Sequence, residues 1–364
     1  MILDDVDKSN QKRKYKFVKH LYKDNFEFII QANDEEIIEE LEQFISFDKM
    51  PRFNGEYDTT TISFIDKSNF PEDAKHKISQ GERIVIHGGT PEQHVWGTKV
   101  SIDNKKYYNI PKNDEYIIQD GNQYYLYGGN QGKEENLYRI VREIYYRKSL
   151  ALGRVAIHSA AVADKKGRCI LIPGEKAAGK TTFLCNLLAS KKYKFLDNDR
   201  ILLELDNQGG LKAHSMSSTV NVGFGTMRIV PDKFRDIKIS GYEKPTDKKR
   251  YTRKGFIKQM SCDSTTTGKV KSIVFPKIKK ESHVQLRKCN REEKMHRIGD
   301  AIERYDNSEH PDWLGISNVS EEQYRINILK ILQYIEKNIP AHEMQFGYER
   351  INDNELCQID ERGE

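Results

Sequence analysis

The sequence predicts an α/β protein, α+β overall, with a strand-rich N-terminal half and a C-terminal half built on a sheet with flanking helices. Three observations carry this. A short apolar run, Cys169–Pro173, meets a Gly-rich turn and then a helical pattern over residues 181–190. A second apolar run, Tyr193–Leu196, ends in Asp197, Asn198 and Asp199. Ahead of both, residues 15–133 hold short alternating runs separated by Gly, Asn and Asp, the pattern of strands joined by turns.

Taken in order, residues 1–14 are polar and read as a flexible arm. The domain at 15–133 follows: "NFEFIIQA" alternates as a strand, "DEEIIEELEQFI" places Ile37, Ile38, Leu41 and Ile45 on one helical face, and "TTTISFID" is again a strand. "ERIVIHGG", "TKVSIDNKKYYNI" and "EYIIQDGNQYYLYGG" continue as strands with turns between them. The pairs at Gly88–Gly89 and Gly128–Gly129 read as turns only. Leu137, Ile140, Val141, Ile144 and Tyr145 recur at helical spacing and make 134–152 a connecting helix. The second domain, 153–364, opens with "VAIHSAAVADKKGRCILIPG", a hairpin whose second strand runs into the Gly-rich turn. It closes with two helical patterns, and Ile326, Ile328, Leu329, Ile331, Leu332 and Ile335 predict a broad apolar face packed on the sheet.

A chain of 364 residues suits two domains. The net charge of +5 is small for this length, so total charge argues for neither nucleic acid nor membrane. Five cysteines without CxxC or His-paired spacing disfavour a disulfide framework and a structural zinc site. No apolar run approaches the length of a membrane helix, and the first residues are charged, so the expectation is a cytoplasmic protein without signal peptide or membrane span.

Gly174-Glu175-Lys176-Ala177-Ala178-Gly179-Lys180-Thr181 fits GxxxxGK[ST] without departure, and Thr182 follows. In such a loop backbone N–H groups turn inward and the following helix adds its positive end, which together make an anion site. Lys180 is then the contact to the β- and γ-phosphates of ATP, and the Thr181 hydroxyl a ligand of Mg²⁺. Leu184, Leu187 and Leu188 give the helix after the loop one apolar face. Asp197, Asn198 and Asp199 sit at the carboxyl end of their strand, where ligands collect in open α/β sheets. They are either the metal-holding and nucleophile-orienting carboxylates that phosphate chemistry needs or an ordinary Asx turn. His158 is polar among apolar neighbours, either a group that meets phosphate or relays a proton or a satisfied edge histidine.

Residues 231–258 carry ten Lys or Arg against four acids and read as an exposed basic insertion. Its open alternatives are a clamp for an acidic peptide or nucleic acid, a cover over nucleotide phosphates, or a solvated loop. The aromatics Phe234, Tyr242, Tyr251 and Phe256 are too sparse for base stacking, which argues against nucleic acid. Trp313 reads as a core residue or a pocket wall.

The order "IHSAAVADKKGRCILIPGEKAAGKTTFLCNLL" then "FLDNDR" resembles the catalytic domain of HPr kinase/phosphorylase, a P-loop family related to phosphoenolpyruvate carboxykinase. The resemblance covers residues 150–205 well and the rest of the second half weakly. "SSTVNVGFGTMRIVP" and "SIVFPKI" look more like the HPr-kinase-related proteins of peptide-modification gene clusters. It implies that Gly174, Gly179, Lys180 and Thr181 hold the nucleotide, that His158 is the active-site histidine, and that Asp199 and Arg200 match the second aspartate and the arginine. The first aspartate of the family, its base and acid, is Asn198 here, which leaves Asp197, Asp199 or His158 to orient the acceptor. The activity implied is ATP- and Mg²⁺-dependent transfer to a Ser or Thr hydroxyl of a peptide or protein, with Asp199 completing the metal shell. The rival readings are a nucleotide-binding regulatory or assembly protein, and simple NTP hydrolysis. The N-terminal domain reads as a strand-rich accessory domain and is expected to recognise a partner peptide or the partner domain of a second subunit in a homo-oligomer.

Overall fold

The computed structural model describes residues 15–48, 55–87, 94–128, 133–206, 208–216, 219–237, 244, 247–280, 283–305 and 311–361. The expected arm at 1–14 and the glycines at 88, 89 and 129 lie outside them. The chain is a mixed α/β protein that divides into two compact units, one of residues 1–42, 47–145 and 306–316, the other of 43–46, 146–305 and 317–364. Among the described residues no helix is long and apolar enough to cross a membrane.

The first unit is an eight-stranded sheet in the order β1-β2-β3-β8-β7-β6-β5-β4. Its strands are β1 (Phe17–Lys23), β2 (Phe26–Ala32), β3 (Asp58–Asp66), β4 (Glu82–His87), β5 (Val95–Ile102), β6 (Lys105–Ile110), β7 (Glu115–Asp120) and β8 (Gln123–Gly128). Alternation explains β2, where Phe26, Phe28, Ile30 and Ala32 are buried and the residues between them only partly so. The helix α1 (Glu35–Phe44) buries Ile37, Ile38 and Leu41, as their spacing predicts. A second helix, α2 (Glu72–Ser79), which the sequence reading left unassigned, places Ala74 and Ile78 with Phe70 and Ile118 in a small apolar cluster. Trp313 is buried at 5.4 Å from the Tyr108 ring, and the Tyr108 hydroxyl donates to the Leu314 carbonyl at 3.1 Å. Residues 311–316 therefore cluster with this unit.

Apart from residues 43–46, the second unit begins at Tyr146, within helix α3 (Lys133–Ala151). Its sheet runs β10-β9-β12-β13-β16-β18-β17, and a further pairing of β10 with β16 closes part of that path on itself. The strands are β9 (Val155–Asp164), β10 (Arg168–Pro173), β11 (Tyr193–Asp197), β12 (Arg200–Leu205), β13 (Leu211–Ser215), β16 (Thr267–Ile278), β17 (Gln285–Lys288) and β18 (Ala341–Phe346). The expected hairpin is present, with Pro173 opposite Ser159 and Cys169 opposite Ala163. β10, β16 and β18 run parallel, so their carboxyl ends share one side of the sheet.

Helix α4 (Lys180–Ala189) follows β10 and is buried all round from Thr182 to Ala189. The single leucine face inferred from Leu184, Leu187 and Leu188 is thus too narrow a description. Phe183 and Cys185 are equally enclosed, because a second layer covers the side of α4 away from the sheet. That layer consists of β14 (Val220–Gly223), helix α5 (Phe224–Ile229), β15 (Lys248–Tyr251) and helix α6 (Arg253–Met260). Much of it comes from the basic segment 231–258. The described parts of that segment are not a solvated insertion: Phe234, Tyr251 and Phe256 are buried in the core around α4. Their burial outweighs the local density of charge. Residues 238–243, with Tyr242, and 245–246 lie outside the described set.

The C-terminal part carries helix α7 (Arg291–Ala301), opened by an Asn290–Glu293 capping box, and helix α8 (Glu321–Asn338). The broad apolar face expected of α8 is narrower in the structure. Tyr324, Asn327, Ile331 and Ile335 are buried, whereas Ile326 is 38% and Leu329 57% exposed. Only a stripe at i, i+3, i+7 and i+11 reaches the sheet. β18 and helix α9 (Asp353–Glu361) complete the chain; the sequence reading named neither.

Because α4 has no solvent face beyond its first turn, Leu187→Ala is expected to lower stability by about 2–5 kcal/mol, as a cavity in a closed core does. Urea unfolding followed by far-UV circular dichroism measures it. A midpoint equal to that of the parent protein would show that α4 is not enclosed.

Candidate active site

The loop Gly174–Gly179 leaves β10 at the carboxyl end of the parallel strands and enters α4 directly. Its end is fixed by Gly179, whose φ of 98° lies in the left-handed region. A Cβ there would stand 3.1 Å from both Ile278 and Phe346. Gly179 is also the residue capping α4 and has no side chain to offer, so no side chain caps the helix start. Ala177 takes a φ of 67°, a conformation that costs a non-glycine residue about 1 kcal/mol or more. Two backbone bonds hold the loop in place, Ala178 N–H to the Glu175 carbonyl at 3.2 Å and Ile278 N–H to the Ala178 carbonyl at 3.2 Å. Glu175 and Lys176 are exposed.

Lys180 turns back over the loop, its ammonium donating to the Gly174 carbonyl at 2.5 Å and the Glu175 carbonyl at 3.0 Å. Burial pulls its pKa below the ordinary lysine value, against the opposing charge of Asp199. The Thr181 hydroxyl lies 3.4 Å from Asn198 Oδ1, to which it donates. Thr182 faces elsewhere: its hydroxyl is buried 2.7 Å from that of Thr226 on α5.

The acidic corner separates into three different environments. Asp197 is fully buried; its Oδ1 accepts from Asn198 N–H at 2.8 Å, and its charge faces Arg253. Arg253 is itself buried and donates to the Leu196 carbonyl at 2.7 Å and the Thr265 carbonyl at 3.1 Å. A carboxylate enclosed in this way is not positioned to orient an acceptor. Asp199, by contrast, is 56% exposed, and its backbone carbonyl accepts from Ser159 N–H at 3.0 Å. Arg200 is buried with its Nε donating to Glu303 Oε1 at 2.5 Å, and its guanidinium lies 5.4 Å from the Tyr146 ring. The guanidinium is thus committed to Glu303, with Asp199 close enough to add to its charge stabilisation.

His158 sits opposite Arg200 in the β9–β12 register and one residue before Ser159, which faces Pro173. This places its ring beside the loop. Its Nδ1 is 3.5 Å from Asp199 Oδ1, and the ring is half exposed. Partial burial, reinforced by the Lys180 charge, lowers its pKa below the ordinary histidine value, so the imidazole is neutral near pH 7.

A cavity of about 560 Å³ opens between His158, the loop and the carboxyl end of β16. Pro276, Lys277 and Ile278 form one wall; Arg297 and Glu343 stand across it. Arg297 donates to Glu343 at 3.0 Å while its guanidinium lies 4.1 Å from the Phe275 ring centroid. The volume suits a small-molecule or short-peptide moiety. Among the described residues no group of three or more His, Cys, Asp and Glu could hold a metal ion. The Thr181 hydroxyl and the exposed Asp199 carboxylate are hard oxygen donors, the type that suits a cation keeping several waters and taking further ligands from phosphates.

Neither a protein-family profile nor a curated protein matches the chain. Among solved structures it is similar to the Hpr(Ser) kinase/phosphatase from Coxiella burnetii, with 14% identity over 57% of this chain and 95% of that one, and a TM-score of 0.25.

Sequence reasoning brought Lys180, Thr181, Asp199 and His158 to the fore but missed Glu303, Arg253, Thr226 and Glu343. Glu303 and Glu343 have no local signal, since only the bridge of Ile302 to Ile157 and the register of β18 with β16 bring them near. Arg253 had one: Thr252 caps α6 by accepting from Gly255 N–H, a T-x-x-G start that marks a folded helix inside the basic run.

Gly179→Ala is expected to cost about 1–3 kcal/mol through strain and the contacts with Ile278 and Phe346. Gly174→Ala, whose new Cβ would meet nothing closer than 3.4 Å, should unfold like the parent. Equal denaturation midpoints for the two variants would contradict this loop geometry.

Proposed function

We propose that the protein is an ATP- and Mg²⁺-dependent phosphotransferase acting on a Ser or Thr hydroxyl of a peptide or protein. The observation that carries this reading is the convergence of Lys180, Asp199 and His158 at one mouth of an uncapped Gly-rich loop. In this reading the amides of residues 174–181 hold the triphosphate, and Lys180 leaves its two loop carbonyls for the β- and γ-phosphates. Thr181 and Asp199 would hold Mg²⁺, which supplies neutralisation of the charge between those phosphates.

His158 takes the part that the buried Asp197 and the amide Asn198 are not fitted for. Its Nδ1 faces Asp199, leaving Nε2 to accept the proton of the acceptor hydroxyl. The hydroxyl oxygen bonds to the γ-phosphorus, the bond from that phosphorus to the β,γ-bridging oxygen breaks, and ADP leaves with the electron pair. Arg200, tied to Glu303, acts by holding Asp199 rather than by touching nucleotide. The acceptor would occupy the cavity beside His158. The N-terminal unit would recognise the rest of the acceptor or a second copy of the chain. We assign this activity to the cytoplasm, where ATP and reduced thiols coexist.

One observation favours a second reading. Asn198 stands where the resemblance implies a carboxylate and bonds instead to Thr181, which suits a protein that binds nucleotide and signals its presence without transfer. Incubation with Mg-ATP and Ser- or Thr-containing peptides distinguishes the classes. A gain of one phosphoryl group by a peptide supports transfer, phosphate release without labelling supports hydrolysis, and binding with neither supports the regulatory reading.

Two outcomes are expected for variants. Lys180→Ala should abolish labelling. In the parent, labelling should rise with pH through a value below 6.5 and then level, because the base works in its neutral form and its pKa is lowered. His158→Gln should reduce the rate by about 10²-fold and remove that limb. An unchanged pH profile in His158→Gln would exclude the histidine as base.

A further inference from the structure

We propose that the acceptor is acidic: a carboxylate a few residues from its hydroxyl docks on Arg297 and Lys277, in the cavity that His158 also lines. This rests on the phosphotransferase reading above and names the class of peptide that the site would take.

Strand register builds the wall in question. Glu343 stands opposite Phe275 in the β16–β18 pairing and opposite Arg287 in the β17–β18 pairing. Directly opposed residues share one face of a sheet, and alternation puts Lys277, two residues beyond Phe275, on that same face. α7 brings Arg297 to this row: its guanidinium lies 4.1 Å from the Phe275 ring centroid and donates to Glu343 Oε2 at 3.0 Å. The bridge of Ile302 to Ile157, with the bond from Glu303 N–H to the Ala156 carbonyl, fastens the end of α7 to β9 just ahead of His158. His158, Lys277, Arg297 and Glu343 therefore line one space.

The charges of that space are unequally committed. Glu343 is 15% exposed and faces three cations, Arg297 at 3.0 Å and both Lys277 and Arg287 at 3.7 Å. The other acid of this wall, Glu293, is 2.8 Å from Arg287. Three cations thus share two carboxylates. Asp300, also in the lining, lies 3.1 Å from the His296 ring, and Glu175 is exposed on the loop. Lys277 stands too far from Glu343 for a hydrogen bond. Arg297 gives Glu343 a bond from Nη1, and among the described residues its Nε and Nη2 have no hydrogen-bond partner. A planar fork pinned between an aromatic face and a carboxylate has little freedom left to lose, and its remaining donors match a carboxylate. A basic residue would instead meet a glutamate already surrounded by cations. The cavity of about 560 Å³ spans roughly two residues of extended chain, which sets the separation of acid and hydroxyl.

The test is the initial rate of transfer from Mg-ATP by the full-length protein to end-capped peptides with one Ser. Glu is placed at successive positions on either side of it, and each peptide has a Gln and a Lys counterpart. The parent should favour at least one Glu peptide over its Gln counterpart by about tenfold in kcat/KM, the size of one charge-assisted contact, with the difference in KM. Arg297→Gln and Lys277→Gln should each bring that ratio most of the way to unity. The ratio is taken within one variant, so a general loss of activity or folding cancels. Lys271→Gln, which removes an exposed charge of β16 outside the cavity, should keep the parent ratio. A preference seen only for a Gln peptide with a free carboxyl end would assign the carboxylate to the chain end rather than a side chain. Equal rates for Glu, Gln and free-ended peptides overturn the proposal, as does a preference for Lys or a ratio that survives in both cavity variants. A ratio that falls equally in Lys271→Gln also overturns it, as does a rise of the same size in the KM for Mg-ATP, which would put the two cations on nucleotide. A parent protein that labels no peptide would instead remove the transfer reading itself.

Discussion

The start of the helix after β10 lacks a side-chain cap, because the capping residue is Gly179. An α-helix begins with backbone N–H groups that have no partner within the helix, and they carry a partial positive charge. A serine or aspartate at that position would have satisfied one of them. Glycine leaves them facing the loop, and its left-handed backbone against Ile278 and Phe346 leaves no room for a larger residue. Lys180 adds a formal charge at the same point and is held by two carbonyls of its own loop. A helix start without a side-chain cap and a lysine charge thus share one corner of the fold.

β9 brings the corner to the loop. Along one edge it pairs with β12 at residues 155–158 and with β11 at 161–164, and along the other with β10 at 159–163. The break between β12 and β11 falls beside His158 and Ser159, where the bond from Ser159 N–H to the Asp199 carbonyl closes the corner. His158 and Asp199 therefore meet beside the loop as a consequence of strand register. The buried pairing of Arg200 with Glu303 below them is costly to break, since either partner left alone would be an uncompensated charge. It serves as a fixed support for the two exposed groups.

How much of this was legible in the sequence depends on the range of the interactions. The loop, its helix and the hairpin before it are written in contiguous residues, and turn chemistry with apolar periodicity suffices to find them. The division of labour between Asp197 and Asp199 is not local. Asp197 ends β11 and Asp199 lies two residues beyond it, and the charge of Arg253 from α6 faces the first while the second stays at the surface. The basic segment misled for a related reason. Its charges dominate the composition, but Phe234, Tyr251 and Phe256 decide where its described parts go, because a core around α4 was available to receive them. Ile326 and Leu329 misled in the opposite sense, since apolar residues at helical spacing bury only where a neighbouring element meets them.

On the proposed function, the loop amides and Lys180 form a triphosphate cradle facing Asp199. A crystal structure with Mg²⁺ and a non-hydrolysable ATP analogue tests it most directly. The account predicts the analogue's phosphates within residues 174–181, with the Lys180 ammonium moved from the Gly174 and Glu175 carbonyls onto phosphate oxygens. Nucleotide bound elsewhere, or Lys180 still engaged with those carbonyls beside the bound analogue, would contradict it.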